Sequence, residues 1–205
     1  MRRALLFIVV LALVAVPGAN ANGDPASDVL ITQQVFLPVE APIPQSDQDA
    51  LTKTVAAANK QGYPIRVAVI AFSGDLGTAV SLWKHPQDYA KFLGSELTFV
   101  YTKRLLIAQP SGFGLYQRGK SVAKEQRVLA RVQPGRTPAA LAQSTTQAVR
   151  RLAASNGILL PSYASKSTAW RDRLLIAAAG VLILLIIFVP GRRLRRGRPA
   201  PQPEQ

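Results

Sequence analysis

The sequence predicts an α/β fold, a three-layer sandwich in which helices flank a small mixed β-sheet, with a C-terminal transmembrane helix added. Three observations predict it. Two short apolar runs, at 65–72 and 104–109, are typical of strands buried on both faces. Helical patterns stand between and after these runs, an order that favours helices packed on one sheet. A third apolar run, at 174–189, carries no charge.

The chain opens with a predicted signal peptide, residues 1–21. Arg2 and Arg3 precede an apolar stretch at 4–16, and Ala19-Asn20-Ala21 matches the small-x-small cleavage pattern. The apolar stretch is too short to span a bilayer comfortably as a helix. The alternative is an anchor that is not cleaved.

Residues 22–157 are predicted to form one extracytoplasmic domain. Asp28–Leu37 has the β-branched content of a strand or strand pair, which the prolines that follow interrupt. A helix begins at Ser46, its predicted N-cap, runs to about Lys60 and ends at Gly62. The buried strand at 65–72 comes next.

The second half of the domain is predicted to contain a helix, a hairpin and two further helices. Pro86 suits a first helical turn, and Tyr89, Phe92, Leu93 and Leu97 recur on one face. The strand at 104–109 and a return strand at 113–117 form the hairpin. Two helical segments follow it, at 121–132 and 137–157, the second with Thr137 as N-cap, Pro138 after it and Gly157 as terminator.

The C-terminal region predicts a single membrane span. Residues 158–169 form a juxtamembrane linker, 170–190 the transmembrane helix, and 191–205 a basic tail with five arginines. The apolar run itself is short for a bilayer core, so Trp170 and the flanking arginines are expected at the interfaces. The positive-inside bias keeps the tail cytoplasmic. We therefore expect a single-pass plasma-membrane protein whose domain lies outside.

Charge and composition limit the possible partners. The chain carries a net charge of +14, but residues 22–169 hold 16 Lys or Arg and 9 Asp or Glu, a net charge of +7. An exported domain of this charge predicts attraction to anionic lipid or wall polymer and argues against nucleic acid. There is no cysteine, so neither a disulfide nor thiol chemistry is available.

One stretch matches a nucleotide-binding motif literally. Gly114–Ser121 fits a glycine, four residues, then Gly-Lys-Ser, the pattern of a phosphate loop. Here Leu115, Tyr116 and Gln117 are large and continue a strand, so they fill the space a phosphate would take. We therefore expect a hairpin edge, a turn at Gly119 and a helix cap at Ser121, with no nucleotide.

The order of elements resembles a known family. A helix leading through Gly62 into "IRVAVIAF", then "DYAKFL", "RLLIAQPSGFGLY" and "LAQSTTQAVRRLAA", is similar to the TPM domain, a phosphatase-like fold associated with the thylakoid lumen and membrane repair. The resemblance covers 30–156. It implies an exported domain with a leader and a C-terminal membrane helix. Where the family commonly has Asp-Asn-Gly before the third strand, this chain has Thr102-Lys103-Arg104.

A divalent cation is the only cofactor for which the chain offers candidates. The resemblance implies a cation held by acidic residues near the sheet's end, and the candidate ligands are Asp28, Asp75 and Asp88. Lys103 and Arg104 oppose a cation in that region, and helix caps or turns explain the aspartates as well. The only histidine, His85, adjoins Pro86 at a helix start, which is typical of a surface residue.

The expected function is a binding module without evident catalysis. Such a membrane-anchored, extracytoplasmic module would act on a membrane protein or an envelope component that the sequence does not name. The alternative is a phosphatase-like or metal-assisted hydrolase, as the resemblance implies. Convergence of several carboxylates would favour the alternative, because a hard cation needs several oxygen ligands.

Overall fold

A computed structural model describes residues 23–163, and these form an α/β domain. In chain order the elements are α1 (Pro25–Leu30), β1 (Val35–Phe36), α2 (Gln45–Lys60), β2 (Ile65–Val69), a 3₁₀ segment (Ser73–Leu82), α3 (Pro86–Glu96), a 3₁₀ turn (Leu97–Phe99), β3 (Arg104–Gln109), β4 (Gly112–Tyr116), α4 (Ala123–Leu129) and α5 (Pro138–Ala154).

The four strands form one mixed sheet, which confirms the α/β part of the predicted fold class. Their order is β1-β2-β3-β4. β1 and β3 both run parallel to β2, with Val35 opposite Val67 and Ile65 opposite Arg104. β4 returns antiparallel to β3, so the predicted hairpin is confirmed. The carboxyl ends of β1, β2 and β3 therefore meet at one edge of the sheet.

The sheet has a hydrophobic core on each face, because side chains alternate along β2 and β3. Val67 and Leu106 point to one core, where they pack with residues of α2, α4 and α5. Ala68 and Ile107 point to the other, where they pack with α1, α3 and the 3₁₀ segment. Helices on both faces of a sheet give the three predicted layers.

The start of the domain differs most from the structure that the sequence predicts. Instead of a strand or strand pair over Asp28–Leu37, the structure has helix α1 followed by a two-residue strand. Asp24 caps α1 by accepting a hydrogen bond from Ala26 N at 3.0 Å, and Pro25 occupies the first turn. Asp followed by Pro is a strong helix start. This helix-start signal outweighs the β-branched residues that predicted a strand over Asp28–Leu37.

Other predictions of local structure differ in detail. The strand predicted at 65–72 ends at Val69. Ser46 is not an N-cap: α2 begins one residue earlier, after Pro44, without a side-chain cap. Ser121 is not the N-cap of α4, where Val122 holds that position. Phe92 is 37% exposed, while its predicted neighbours on the apolar face are buried.

Thr137 caps α5 as predicted, accepting from Ala140 N at 3.2 Å. The predicted signal peptide, half of the linker, the transmembrane helix at 170–190 and the tail at 191–205 lie outside the described residues. Within 23–163, no helix has the length and apolar character needed to cross a membrane.

Candidate functional site

A cleft of about 430 Å³ opens beyond the carboxyl ends of β1 and β2. This is the edge of a parallel sheet where α/β proteins usually bind ligands, because loops leaving neighbouring strands diverge there. We call it the carboxyl-edge cleft. Its lining residues come from three parts of the chain: Pro25; Phe36, Pro38, Val39 and Glu40; and Phe72, Gly74 and Asp75.

One wall of the cleft follows directly from β1. Phe36, the last residue of that strand, is buried in the core beneath the cleft. The chain then turns through Pro38, and Val39 projects with 97% of its surface exposed. Glu40 is exposed next to it. This wall therefore presents an unburied aliphatic side chain beside a carboxylate.

The other wall follows β2, where Asp75 fixes the loop. Asp75 Oδ2 accepts hydrogen bonds from Ala71 N at 2.7 Å and from Phe72 N at 2.8 Å. A carboxylate at the start of a helical segment satisfies backbone N–H groups that have no partner within the helix. Phe72 is held at the rim, where it remains 47% exposed.

The charge of Asp75 is affected by its position in the cleft. Partial burial raises the pKa of its carboxyl group, while the hydrogen bonds from Phe72 and Ala71 oppose the rise. The negative charge of Glu40 raises the pKa further, so the two carboxylates interact across the cleft. A positively charged group of a ligand between them would offset this repulsion.

Beneath the cleft, the 3₁₀ segment is packed closely on the start of α1. Gly77 has a positive φ of 52°, and a Cβ there would lie 2.2 Å from Gly23 O and 2.9 Å from Pro25 Cδ. Only glycine permits both this conformation and this approach. The contact places Pro25 at the cleft, which connects the start of α1 with the loop after β2.

A buried acidic pair lies under this contact. Asp24 is 4% exposed, and Tyr89 Oη donates to its carboxylate at 2.7 Å. Burial raises the pKa of Asp24 despite that hydrogen bond. The pKa of Tyr89 is raised by burial and by the charge of Asp24, with a smaller contribution from Asp75. The hydrogen bond between Tyr89 and Asp24 thus joins α3 to the start of α1.

The three predicted metal ligands have separate surroundings. Asp75 lines the carboxyl-edge cleft, whereas Asp88 is exposed in the first turn of α3, 3.1 Å from Lys91 Nζ. Asp28 lies on α1, where its charge acts on Asp24 and Glu96. In the part of the chain that the structure describes, no three His, Cys, Asp or Glu side chains form a group suited to a metal ion.

Lys103 and Arg104 do not face the cleft. Arg104 begins β3 at the amino end of the sheet, opposite the edge where Asp75 lies. Its guanidinium stacks 4.2 Å from the centre of the Tyr63 ring, and Glu125 Oε1 is 3.8 Å from its Nε. The expectation that these two cations repel an ion near the acidic candidates was therefore wrong for Asp75, because the sheet separates them.

The phosphate-loop match lies in β4 and the turn after it. Gly114 pairs with Ile107 of β3, and Leu115 and Tyr116 continue the strand, so the predicted hairpin edge and the Gly119 turn are confirmed. A second cleft of about 390 Å³ lies beside this strand, between Gln87, Phe113 and Gln126 among others. Gln87 covers part of the strand edge by bonding both Leu115 N and Leu115 O at 3.0 Å.

Sequence reasoning found Asp75 but missed its neighbours. The signal for Asp24 was present in the Asp24-Pro25 dipeptide, which marks a helix start. Glu40 and Val39 follow a strand of only two residues, which carries too little periodicity to be recognised. Their approach to Phe72 depends on the parallel pairing of β1 with β2, which no local pattern reveals.

Comparison of the chain with protein-family models, with curated proteins and with solved structures gives no match.

Proposed function

We propose that the chain is an extracytoplasmic binding module, held in the plasma membrane by one C-terminal helix, whose carboxyl-edge cleft takes a basic and apolar segment of a neighbouring membrane or envelope protein. The observation that carries this proposal is the composition of the cleft. Exposed apolar side chains at Val39 and Phe72 flank two interacting carboxylates, Glu40 and Asp75.

The chemistry of such a cleft favours an amphipathic ligand. Apolar walls contribute affinity through burial, at about 25 cal/mol per Å², and a few fixed polar groups determine orientation. A lysine or arginine side chain fits both features, because its aliphatic stem packs on apolar surface while its charged head meets a carboxylate. An anionic ligand would meet repulsion from Glu40 and Asp75 instead.

The location rests on the ends of the chain. A leader at 1–21, an apolar segment within 170–190 and a tail with five arginines together favour a domain outside and a tail inside. The resemblance to the TPM domain supports the same arrangement. Because that domain is phosphatase-like, the resemblance also implies a cation-assisted hydrolase as the alternative function to be tested.

A photocrosslinking amino acid at Val39, in the full-length chain in intact cells, tests the proposal. We expect one adduct of defined mass at this position. The matched control carries the same crosslinker at Thr52, which is exposed on α2 and away from the cleft. Glu40→Lys should abolish the Val39 adduct, because it places a cation where the ligand's cation binds. Equal crosslinking at Val39 and Thr52, or an adduct that Glu40→Lys leaves unchanged, contradicts the proposal.

A further inference from the structure

The end of the domain opposite the carboxyl-edge cleft is both apolar and basic. It consists of the connections at the amino ends of the parallel strands: 31–34 before β1, 61–64 before β2, 97–103 before β3 and 117–122 after β4. The segment after α5 joins the same end, since Lys124 Nζ donates to Ser155 O at 3.2 Å. We call these residues the basal surface.

Large apolar side chains are exposed on this surface. Phe99 is 76% exposed and Val100 40%, on consecutive residues between α3 and β3. Ile31 is 37% exposed before β1, and Leu159 is 83% exposed after α5. A single exposed apolar residue needs no explanation. Four of them on connections at one end of a small domain indicate a surface that meets an apolar partner.

The charges on the basal surface are mainly positive. Its exposed cations, on the connections or on the adjoining helical turns, are Lys60, Lys103, Arg118, Lys120 and Lys124. The nearest carboxylates are Glu125, which is partly buried beside Arg104, Glu96, which is also partly buried, and Asp28, which is exposed. By contrast, Glu40, Asp49, Asp75 and Asp88 all lie toward the carboxyl end. The exposed cations of the basal surface therefore outnumber the carboxylates near them.

The chain also leaves the described residues near this end. After α5, Ile158 packs against the core that contains Tyr63, and Arg150 Nη1 donates to Ser162 Oγ at 3.2 Å. Six residues, 164–169, separate Tyr163 from Trp170, where the proposed transmembrane helix begins, so the chain takes seven residue-to-residue steps between them. A fully extended chain of that length spans at most about 25 Å. A linker of that length would hold the basal surface within reach of the outer leaflet.

We propose that the basal surface docks on anionic lipid, with Phe99 entering the interface and the surrounding lysines and arginines meeting the headgroups. This inference rests on the proposed membrane anchor. Aromatic side chains favour the membrane interface, and basic residues near it are attracted to negative lipid within about a Debye length. Docking by this end leaves the carboxyl-edge cleft facing away from the membrane, open to a protein partner.

A spin label on the full-length chain in nanodiscs measures this docking. The label is placed at Thr102, which is exposed on the basal surface and leaves both Phe99 and Lys103 intact. Its matched control is a label at Val39, at the opposite end. Because the chain has no cysteine, each substitution provides a unique attachment site. Collision rates with oxygen, which is enriched in lipid, and with a water-soluble nickel complex report the depth of each label.

In discs that contain phosphatidylglycerol we expect the Thr102 label to favour oxygen and the Val39 label to favour nickel. Discs of phosphatidylcholine alone, or 1 M salt, should return the Thr102 label to water. Lys103→Glu with Lys120→Glu should lower the docked fraction more than tenfold, because each surface cation is worth about a factor of five in binding anionic lipid. A Thr102 label as aqueous as the Val39 label in anionic discs overturns the proposal.

The same experiment separates this inference from the anchor. A chain that enters the discs while its Thr102 label stays in water retains the anchor and refutes the docking. A chain that does not enter the discs refutes the anchor. In that case cosedimentation of the full-length chain with anionic vesicles decides the docking: binding that Lys103→Glu and Lys120→Glu remove supports it, and absence of binding refutes it.

Discussion

Replacement of Gly114 by alanine should destabilise the domain strongly, although glycine and alanine differ by one methyl group. A Cβ at this position would lie 2.0 Å from Pro86 O and 2.3 Å from Pro86 C, whereas ordinary van der Waals contact begins near 3.4 Å. Both neighbouring atoms belong to backbone, so no side chain can rotate away. Helix α3 and strand β4 must therefore separate by roughly an ångström or more.

The magnitude follows from what that separation breaks. Overpacking of a well-packed contact costs about 1–3 kcal/mol. The Gln87 side chain, one residue after Pro86, bonds Leu115 N and Leu115 O at 3.0 Å, and a shift of roughly an ångström takes both bonds beyond hydrogen-bonding distance. Each of them contributes about 1 kcal/mol. The expected loss is at least about 3 kcal/mol, equivalent to a fall in Tm of about 12 °C for a domain of this size.

Urea unfolding of the full-length chain in detergent, followed by circular dichroism, measures this loss. Gly74→Ala is the matched control, because an added Cβ there meets nothing within 4 Å, and it should change the unfolding free energy by no more than about 0.5 kcal/mol. In the Gln87→Ala background Gly114→Ala should cost less, since the same two bonds are already absent. If Gly114→Ala is as stable as Gly74→Ala, the described packing of α3 on β4 is refuted.

Three further predictions concern charge and ligands. Burial raises the pKa of Asp24 above its ordinary 3.8, so the folded state binds the proton of this carboxyl group more tightly than the unfolded state does. Relative to Asp24→Asn, the unfolding free energy should therefore be highest below pH 3.8 and should fall as the pH rises through the raised pKa. A difference between the two proteins that does not change with pH contradicts this prediction. Lys120→Ala, in the exposed turn of the phosphate-loop match, should change stability by no more than about 0.5 kcal/mol, and saturable ATP binding that this variant abolishes would contradict the assignment as a hairpin edge. Millimolar calcium or magnesium should leave the Tm unchanged, because Asp75 and Asp88 already bond other groups. An ion that binds the folded state, present at a hundred times its Kd, would instead raise the unfolding free energy by about 2.7 kcal/mol. That result would favour the hydrolase alternative, which hydrolysis of a phosphomonoester by the unmodified chain and by Asp75→Asn would then test.

The interior of the sheet could be predicted from the sequence, because burial on both faces leaves a continuous apolar run. β3 has the predicted bounds, and β2 begins at the predicted residue. The N-cap of α5 could also be predicted, from Thr137-Pro138, because a helix N-terminus is specified by neighbouring residues. Elements whose determinants are local were therefore recognised.

The candidate site could be predicted only in part, because its geometry is set by long-range pairing. Asp75 was predicted as a candidate cation ligand near the sheet's end, with a turn as the alternative, but its interaction with Glu40 exists only once β1 pairs with β2. Gly77 illustrates the same limit: its sequence context indicates a turn, while its close approach to Gly23 requires the fold. The assumption that Lys103 lies near the acidic candidates failed for Asp75, because the parallel pairing of β2 with β3 places the start of β3 at the end of the sheet opposite the loop that holds Asp75.

The proposed function places the domain outside the membrane, with its carboxyl-edge cleft open to the surroundings. Labelling of single cysteines with a membrane-impermeant maleimide in intact cells tests it most directly. Val39→Cys, at the 97% exposed rim of the cleft, should react without permeabilisation, whereas Gln205→Cys, in the basic tail, should react only after it. Labelling of Gln205→Cys but not of Val39→Cys in intact cells would contradict the account.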